Sequence, residues 1–307
     1  VPRQAPFRQL AFADVPERPR LPHGYFATRA ETVEVTTPAL GRVRTHVRVH
    51  GEGPPLLLVH GFMTTSYSWR YALAPLGERF TLYVPDLPGA GRSDKPDRPY
   101  TPEALAEHLG ALLEALSLRG VPAIGNSLGG YLCMHLAMRD PGALSRLVNL
   151  HSPGVPTARM RALRLALDVL PFWRRAVSTA VRRDPERWVH RNVHYYDETL
   201  KSREEHREYA APLRTPDGLS AFLRMLDETV DVRAMARFEE RLRADAFPIP
   251  LQLVYARRDP MVPPSVGARL AALLPRAELV WLDEASHFAH VDATARFVEV
   301  ALPFLTA

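Results

Sequence analysis

The sequence predicts an α/β fold: a doubly wound, mostly parallel sheet with an inserted helical cap. Three observations carry this expectation. Short apolar runs recur at 54–60, 80–84, 121–125, 147–151, 251–256 and 278–282, and uninterrupted apolar strands are those buried on both faces of a parallel sheet. Helical periodicity separates several of these runs, which is the pattern of strand–helix–strand crossovers. Between the run at 147–151 and that at 251–256 the alternation stops, and residues 154–246 show helical segments rich in Arg and Glu with no strand pattern.

The elements follow in order. Residues 1–22 hold five prolines and four arginines without an apolar period, so residues 1–30 are expected as an N-terminal arm, extended on the surface or disordered. Period-two alternation at 32–36 and 43–49 predicts two half-buried antiparallel strands joined near Gly41. The clearest helix is 101–118: Thr101 suits the cap, Pro102 the first helical position, and Leu105, Leu109, Leu112, Leu113 and Leu116 form one stripe. Residues 31–153 and 247–307 are the expected core, and residues 154–246 the expected cap. The cap carries Phe172, Trp173, Trp188, Tyr195, Tyr196, Phe222 and Met225, aromatic and apolar surface enough to cover a cleft.

Composition narrows the function classes. The apolar share of 46% and charged share of 24% are those of a globular protein, and no apolar run approaches the length of a membrane span. The formal charge of +5 comes from cations spread among carboxylates, as in Glu204-Glu205-His206-Arg207-Glu208, the mark of a solvated helix face rather than a nucleic-acid surface. Cys133 is the single cysteine, so no intramolecular disulfide can form, and the cytoplasm is the expected compartment. A chain beginning at Val1 without Met leaves export open. No His/Cys/Asp cluster has metal-ligand spacing, so no cofactor or metal is expected.

Chemistry is concentrated at three strand ends. Gly125-Asn126-Ser127-Leu128-Gly129-Gly130 follows one apolar run and opens a helical one. A serine between small residues on a strand-to-helix turn projects its hydroxyl at the carboxyl edge of a sheet. A serine hydroxyl attacks only when a base takes its proton, and that base needs a carboxylate to orient it. Asp259 follows the strand Leu251–Ala256 and His287 follows the strand Glu278–Leu282, so all three reach one edge from distant points in the chain. Asp283 and Glu284 compete as acids, but they belong to the segment carrying His287 itself. Attack on an ester also requires backbone donors for the oxyanion, and the expected pair is Leu128, after the serine, and Phe62, in His60-Gly61-Phe62-Met63. His60 is expected to hydrogen-bond structurally. Asp86, Arg92 and Asp94 read as a turn network, and His290 as a packing residue. The expected substrate pocket comprises Asn126, Trp188, Phe222 and Phe288.

His60-Gly61-Phe62, the 86–94 loop, the Ser127 turn, Asp259 and His287-Phe288 together make the chain resemble the α/β-hydrolase superfamily. The resemblance is to its capped branch of esterases, epoxide hydrolases, haloalkane dehalogenases and carbon–carbon bond hydrolases. Thr64 to Arg70 looks most like the dehalogenase and epoxide-hydrolase side, yet those enzymes carry aspartate where this chain has Ser127. Asn126 is similar to what carbon–carbon hydrolases carry before the nucleophile, whereas Phe288 stands where they typically have Trp. The expected activity is cleavage of a small-molecule carboxylic ester through an acyl-serine. The alternatives are carbon–carbon hydrolysis of a vinylogous diketone and, from a different class, non-catalytic ligand binding on a hydrolase fold. Oligomeric state is not legible in the sequence.

Overall fold

A computed structural model of the chain describes residues 5–170, 172–229 and 231–307. The expected arm therefore begins, in its first four positions, outside the described residues. Eight strands form one sheet: β1 (Arg29–Thr37), β2 (Gly41–His50), β3 (Pro55–Val59), β4 (Thr81–Pro85), β5 (Val121–Asn126), β6 (Leu144–Leu150), β7 (Leu251–Ala256) and β8 (Glu278–Leu282). Their order is β1-β2-β4-β3-β5-β6-β7-β8. β1 pairs antiparallel with β2, and β2 with β4; every pairing from β4 to β8 is parallel.

Burial follows the pleat. Leu57, Val59, Ala123, Leu147 and Leu253 face one core, while Leu56, Leu58, Ile124, Val148 and Val254 face the other, which explains why these strands read as unbroken apolar runs. The first core takes α2 (Pro102–Ala115) and α3 (Leu128–Arg139). The helix expected at 101–118 is capped by Thr101, whose hydroxyl accepts from Ala104 N–H at 3.2 Å, but it stops at Ala115. Ser117, at φ 57°, turns the chain out of the helix.

The chain passes from β3 through a 3-10 turn, Ser66–Trp69, and α1 (Leu73–Gly77) to β4 on one side, then crosses through α2 to β5 on the other side of β3. The carboxyl ends of β3 and β5 therefore border a switch point, where open α/β sheets leave a crevice. Between β6 and β7 the described residues form helices and no strand: α4 (Ala158–Val169), α5 (Trp173–Arg183), α6 (Pro185–Asn192), α7 (Arg203–Ala210), α8 (Pro216–Thr229) and α9 (Val232–Ala244). The chain closes with α10 (Pro264–Leu273), α11 (Ala289–Asp292) and α12 (Thr294–Thr306).

The arm is neither structureless nor independent. Phe7 N–H donates to the Tyr196 carbonyl at 3.0 Å, Gln9 Nε2 to that of His190 at 2.7 Å, and Phe12 stacks on His206 under the Arg203 guanidinium. Tyr25 is fully buried, its hydroxyl bonded to Ser66 Oγ. Aromatic anchors spaced through a proline-rich stretch tie the arm to the helical insertion, a contact that periodicity alone does not reveal.

Candidate active site

Ser127 sits between β5 and α3 with φ 53° and ψ −118°, a conformation that costs a non-glycine residue energy and persists only where its surroundings impose it. They do so tightly. A Cβ on Gly125 would lie 2.5 Å from Gly130, and one on Gly129 would lie 2.2 Å from the Val59 carbonyl oxygen. Only glycine lets α3 start so close to the ends of β3 and β5. Ser127 N–H donates to Leu150 O at 2.7 Å, and its hydroxyl makes no hydrogen bond to a described residue.

His287 follows β8 and meets a carboxylate from the loop after β7. Its Nδ1–H donates to Asp259 Oδ2 at 2.7 Å. Asp259 Oδ1 accepts from Met261 N–H at 2.7 Å and Val262 N–H at 2.9 Å, so the carboxylate is held on both oxygens. Burial pushes the Asp259 carboxyl up, but the charge and hydrogen bond of His287 outweigh it and hold the group below the ordinary carboxylate range. An ionised Asp259 accepting from Nδ1 leaves Nε2 as the imidazole nitrogen free to take a proton. Asp283 lies elsewhere, exposed and paired with Arg257 at 3.0 Å.

Two groups set the loop after β3. His60 Nε2 accepts from Leu87 N–H at 3.0 Å, so Nδ1 carries the hydrogen and donates to the Gly61 carbonyl at 2.8 Å; Thr64 Oγ1 donates to the same oxygen at 3.0 Å. Because a trans peptide sets N–H opposite C=O, this anchorage turns Phe62 N–H away from the anchored carbonyl. A Cβ on Gly61 would meet Ser127 Cβ at 3.1 Å, so this peptide lies over the serine turn. Leu128 N–H, at the first position of α3, has no partner within the helix and stands at its positive end.

The expected pocket residues divide. Phe222 of α8 stacks on Phe62 with ring centroids 5.2 Å apart, and Trp188 of α6 meets Phe222 edge-on at 6.4 Å. A small cavity of about 30 Å³ is lined by Phe62, Met63, Phe222 and Met225, among others. Trp188 also lines a wider groove between α5 and α6. Asn126, by contrast, is fully buried, and its Nδ2 donates to the His287 carbonyl at 3.0 Å. It ties the His287 loop to β5 rather than facing an open pocket. Phe288 is buried against Tyr195, with ring centroids 5.6 Å apart.

Sequence reasoning passed over His151. It was expected to end a strand, but β6 stops at Leu150 and His151 turns at φ 57°. Its Nε2 accepts from Ala256 N–H at 2.7 Å, and its ring lies 5.6 Å from that of His287. Burial pushes its pKa down to about 3, so the ring stays neutral beside the Asp259–His287 pair. Its place at the same carboxyl edge was the available signal. Asp86 forms the turn network expected of it: Oδ1 accepts from Ser66 N–H and Oδ2 from Arg92 N–H. His290 is fully buried 4.3 Å from Trp69. Among the described residues no His/Cys/Asp/Glu group is arranged to hold a metal, and no helix is long and apolar enough to cross a membrane.

Comparison with known proteins agrees with this architecture. The chain is 26% identical to a 2-hydroxymuconate semialdehyde hydrolase of Pseudomonas sp. strain CF600, across 88% of this chain and 95% of that protein. It is 27% identical to a pimeloyl-[acyl-carrier protein] methyl ester esterase of Vibrio cholerae, across 84% and 97% respectively. The epoxide hydrolase CorEH superposes with a TM-score of 0.77 at 20% identity, covering 91% of this chain and 99% of that one. The family model described as the alpha/beta hydrolase fold matches residues 54–294, and the chain belongs to that family.

Proposed function

We propose that this α/β-hydrolase cleaves a small or medium carboxylic ester through an acyl-Ser127 intermediate. The observation that carries the reading is the 2.7 Å bond from His287 Nδ1–H to Asp259, formed at the sheet edge where Ser127 holds its strained turn. Ser127 Oγ attacks the ester carbonyl carbon as His287 Nε2 takes the hydroxyl proton. Phe62 N–H and Leu128 N–H receive the oxyanion. Collapse expels the alcohol, which takes the proton from His287, and leaves the acyl group on Ser127. Water then attacks the acyl carbon, giving its proton to His287, and the second collapse releases the acid and returns the proton to Ser127. Asp259 stabilises the imidazolium in both halves without itself being protonated. The bound Asp259–His287 pair also weighs against a purely ligand-binding role.

Carbon–carbon hydrolysis is the second reading, favoured by the similarity to the muconate semialdehyde hydrolase. It needs polar groups that grip a conjugated acidic chain while the dienol ketonises. Asn126 is the sequence's candidate, and its Nδ2 donor is engaged by the His287 carbonyl. The test is kcat/KM for short p-nitrophenyl esters and for a vinylogous 1,5-diketo acid on one preparation. The ester value is expected to be far the larger, and a larger diketone value overturns the choice.

A further inference from the structure

The cap exposes apolar surface where a globular protein would bury it. Among the described residues the most exposed large apolar side chains are Phe172 at 73%, Val169 at 66%, Leu165 at 65% and Leu170 at 57%, all from the end of α4 and the turn into α5. No residue of α4 is buried. Ala158, Ala162, Leu165, Ala166 and Val169 recur at helical spacing and are all exposed, so they form one apolar stripe. The opposite side is anchored. Arg164 Nη1 donates to Asp227 of α8 at 2.6 Å, and Arg174 of α5 pairs with the same carboxylate. One residue of α8 thus holds both helices by their inner faces and turns their outer faces from the fold.

The excess positive charge, expected to be spread along the chain, is instead gathered in the same place. Residues 158–191 hold nine arginines and three carboxylates, a net +6 against +5 for the whole chain, so the rest sums to −1. Arg161, Arg175, Arg182 and Arg183 are exposed, and none makes an ion pair with a described residue. Arg183, Arg187 and Arg191 line a groove of about 870 Å³ between α5 and α6. Apolar side chains with free arginines around them, on a helix lying flat against the fold, match the boundary between lipid headgroups and acyl chains. A second copy would bring the same cations face to face.

We propose that the outer face of α4 and α5 docks on an anionic lipid surface. Arg159 Nη1 donates to the Pro260 carbonyl at 2.6 Å, so the first turn of α4 is tied to the loop that carries Asp259. Docking therefore brings the lipid surface beside the catalytic edge.

Binding is measured by co-sedimentation of the full chain carrying Ser127→Ala, so that turnover plays no part and the outcome stands apart from the ester reading. The vesicles are phosphatidylcholine alone and phosphatidylcholine with one third phosphatidylglycerol. Binding to the anionic vesicles is expected, with weaker binding to the neutral ones and loss in high salt. Each arginine brought to such a surface strengthens partition about fivefold. Replacing Arg161, Arg175, Arg182 and Arg183 together by Gln should therefore weaken it on the order of a hundredfold or more. Leu165→Asp with Val169→Asp should abolish binding while leaving the melting temperature, and the soluble-ester activity of the Ser127 parent, unchanged. Absence of binding to the anionic vesicles overturns the proposal. So does equal, salt-insensitive binding to both vesicle types, or a dimer in light scattering that Leu165→Asp splits, which would make the occupant a second copy.

Discussion

Ser127 accepts an unfavourable backbone conformation at φ 53° because Gly125, Gly129 and Gly130 let strand and helix meet behind it. The turn is a property of backbone and neighbours, so Ser127→Ala should keep the fold and lower kcat on the order of 10⁶-fold, checked by circular dichroism and ester assay. Asp259→Asn should cost on the order of 10⁴-fold, while Asp283→Asn, at an exposed ion pair, should be silent. The reverse pattern would identify the wrong acid. Removing the His151 acceptor strands Ala256 N–H, so His151→Phe should destabilise the protein by about 1–3 kcal/mol in urea titrations. The placement of Ser127, Asp259 and His287 at strand ends, and the pairing of Asp259 with His287, were legible because residue type coincides with a strand end. Asn126 and His151 were not, since their bonds depend on the register that sets Asn126 opposite Leu150 and on where β6 stops.

Strands read from unbroken apolar runs agree with β3 to β8 within a few residues, because burial on both faces leaves no other pattern. The cap helices are legible as helices, but their packing is not, because long-range polar contacts help to seat them alongside buried apolar residues such as Val189 and Phe222. The fully buried pair Arg70–Glu205 joins the segment after the 3-10 turn to α7, with the Tyr195 hydroxyl donating to the same carboxylate at 2.7 Å. Arg70→Met leaves Glu205 buried without its cation and should destabilise by about 3–5 kcal/mol, whereas Arg70→Met with Glu205→Leu should recover much of that. Equal losses in urea unfolding for the single and double variants would deny the pair this role. Phe222, stacked on Phe62, links the cap to the loop after β3 that carries the proposed oxyanion donor. Phe222→Ala should change the ratio of kcat/KM between short and long acyl esters more than it changes the melting temperature. Unfolding with an unchanged ratio would make Phe222 a packing residue only.

Across the whole molecule, burial holds histidines neutral: His108 is pushed down to about 4, His135, His151 and His206 to about 3, and His60 and His290 are also lowered. Unfolding returns each to its ordinary value, so the unfolded chain binds more protons between about pH 4 and 6.5, and stability falls as pH falls through that window. Asp292, raised by burial to about 7, acts in the opposite sense, but the lowered histidines outnumber it. The urea midpoint should therefore be lower near pH 5 than near pH 7.5, and an equal or higher midpoint would contradict this balance. The docked arm and the clustered charge on the cap also belong to this scale, and neither is visible in an overall composition that looks ordinary. At the centre of the proposed function is Ser127 Oγ as the atom that takes the acyl group. A serine-directed phosphonate ester, followed by peptide mass spectrometry, tests this directly: one phosphonyl adduct on Ser127 is expected, absent from Ser127→Ala and much slowed in His287→Ala. An adduct on another residue, or full esterase activity in Ser127→Ala, would contradict it.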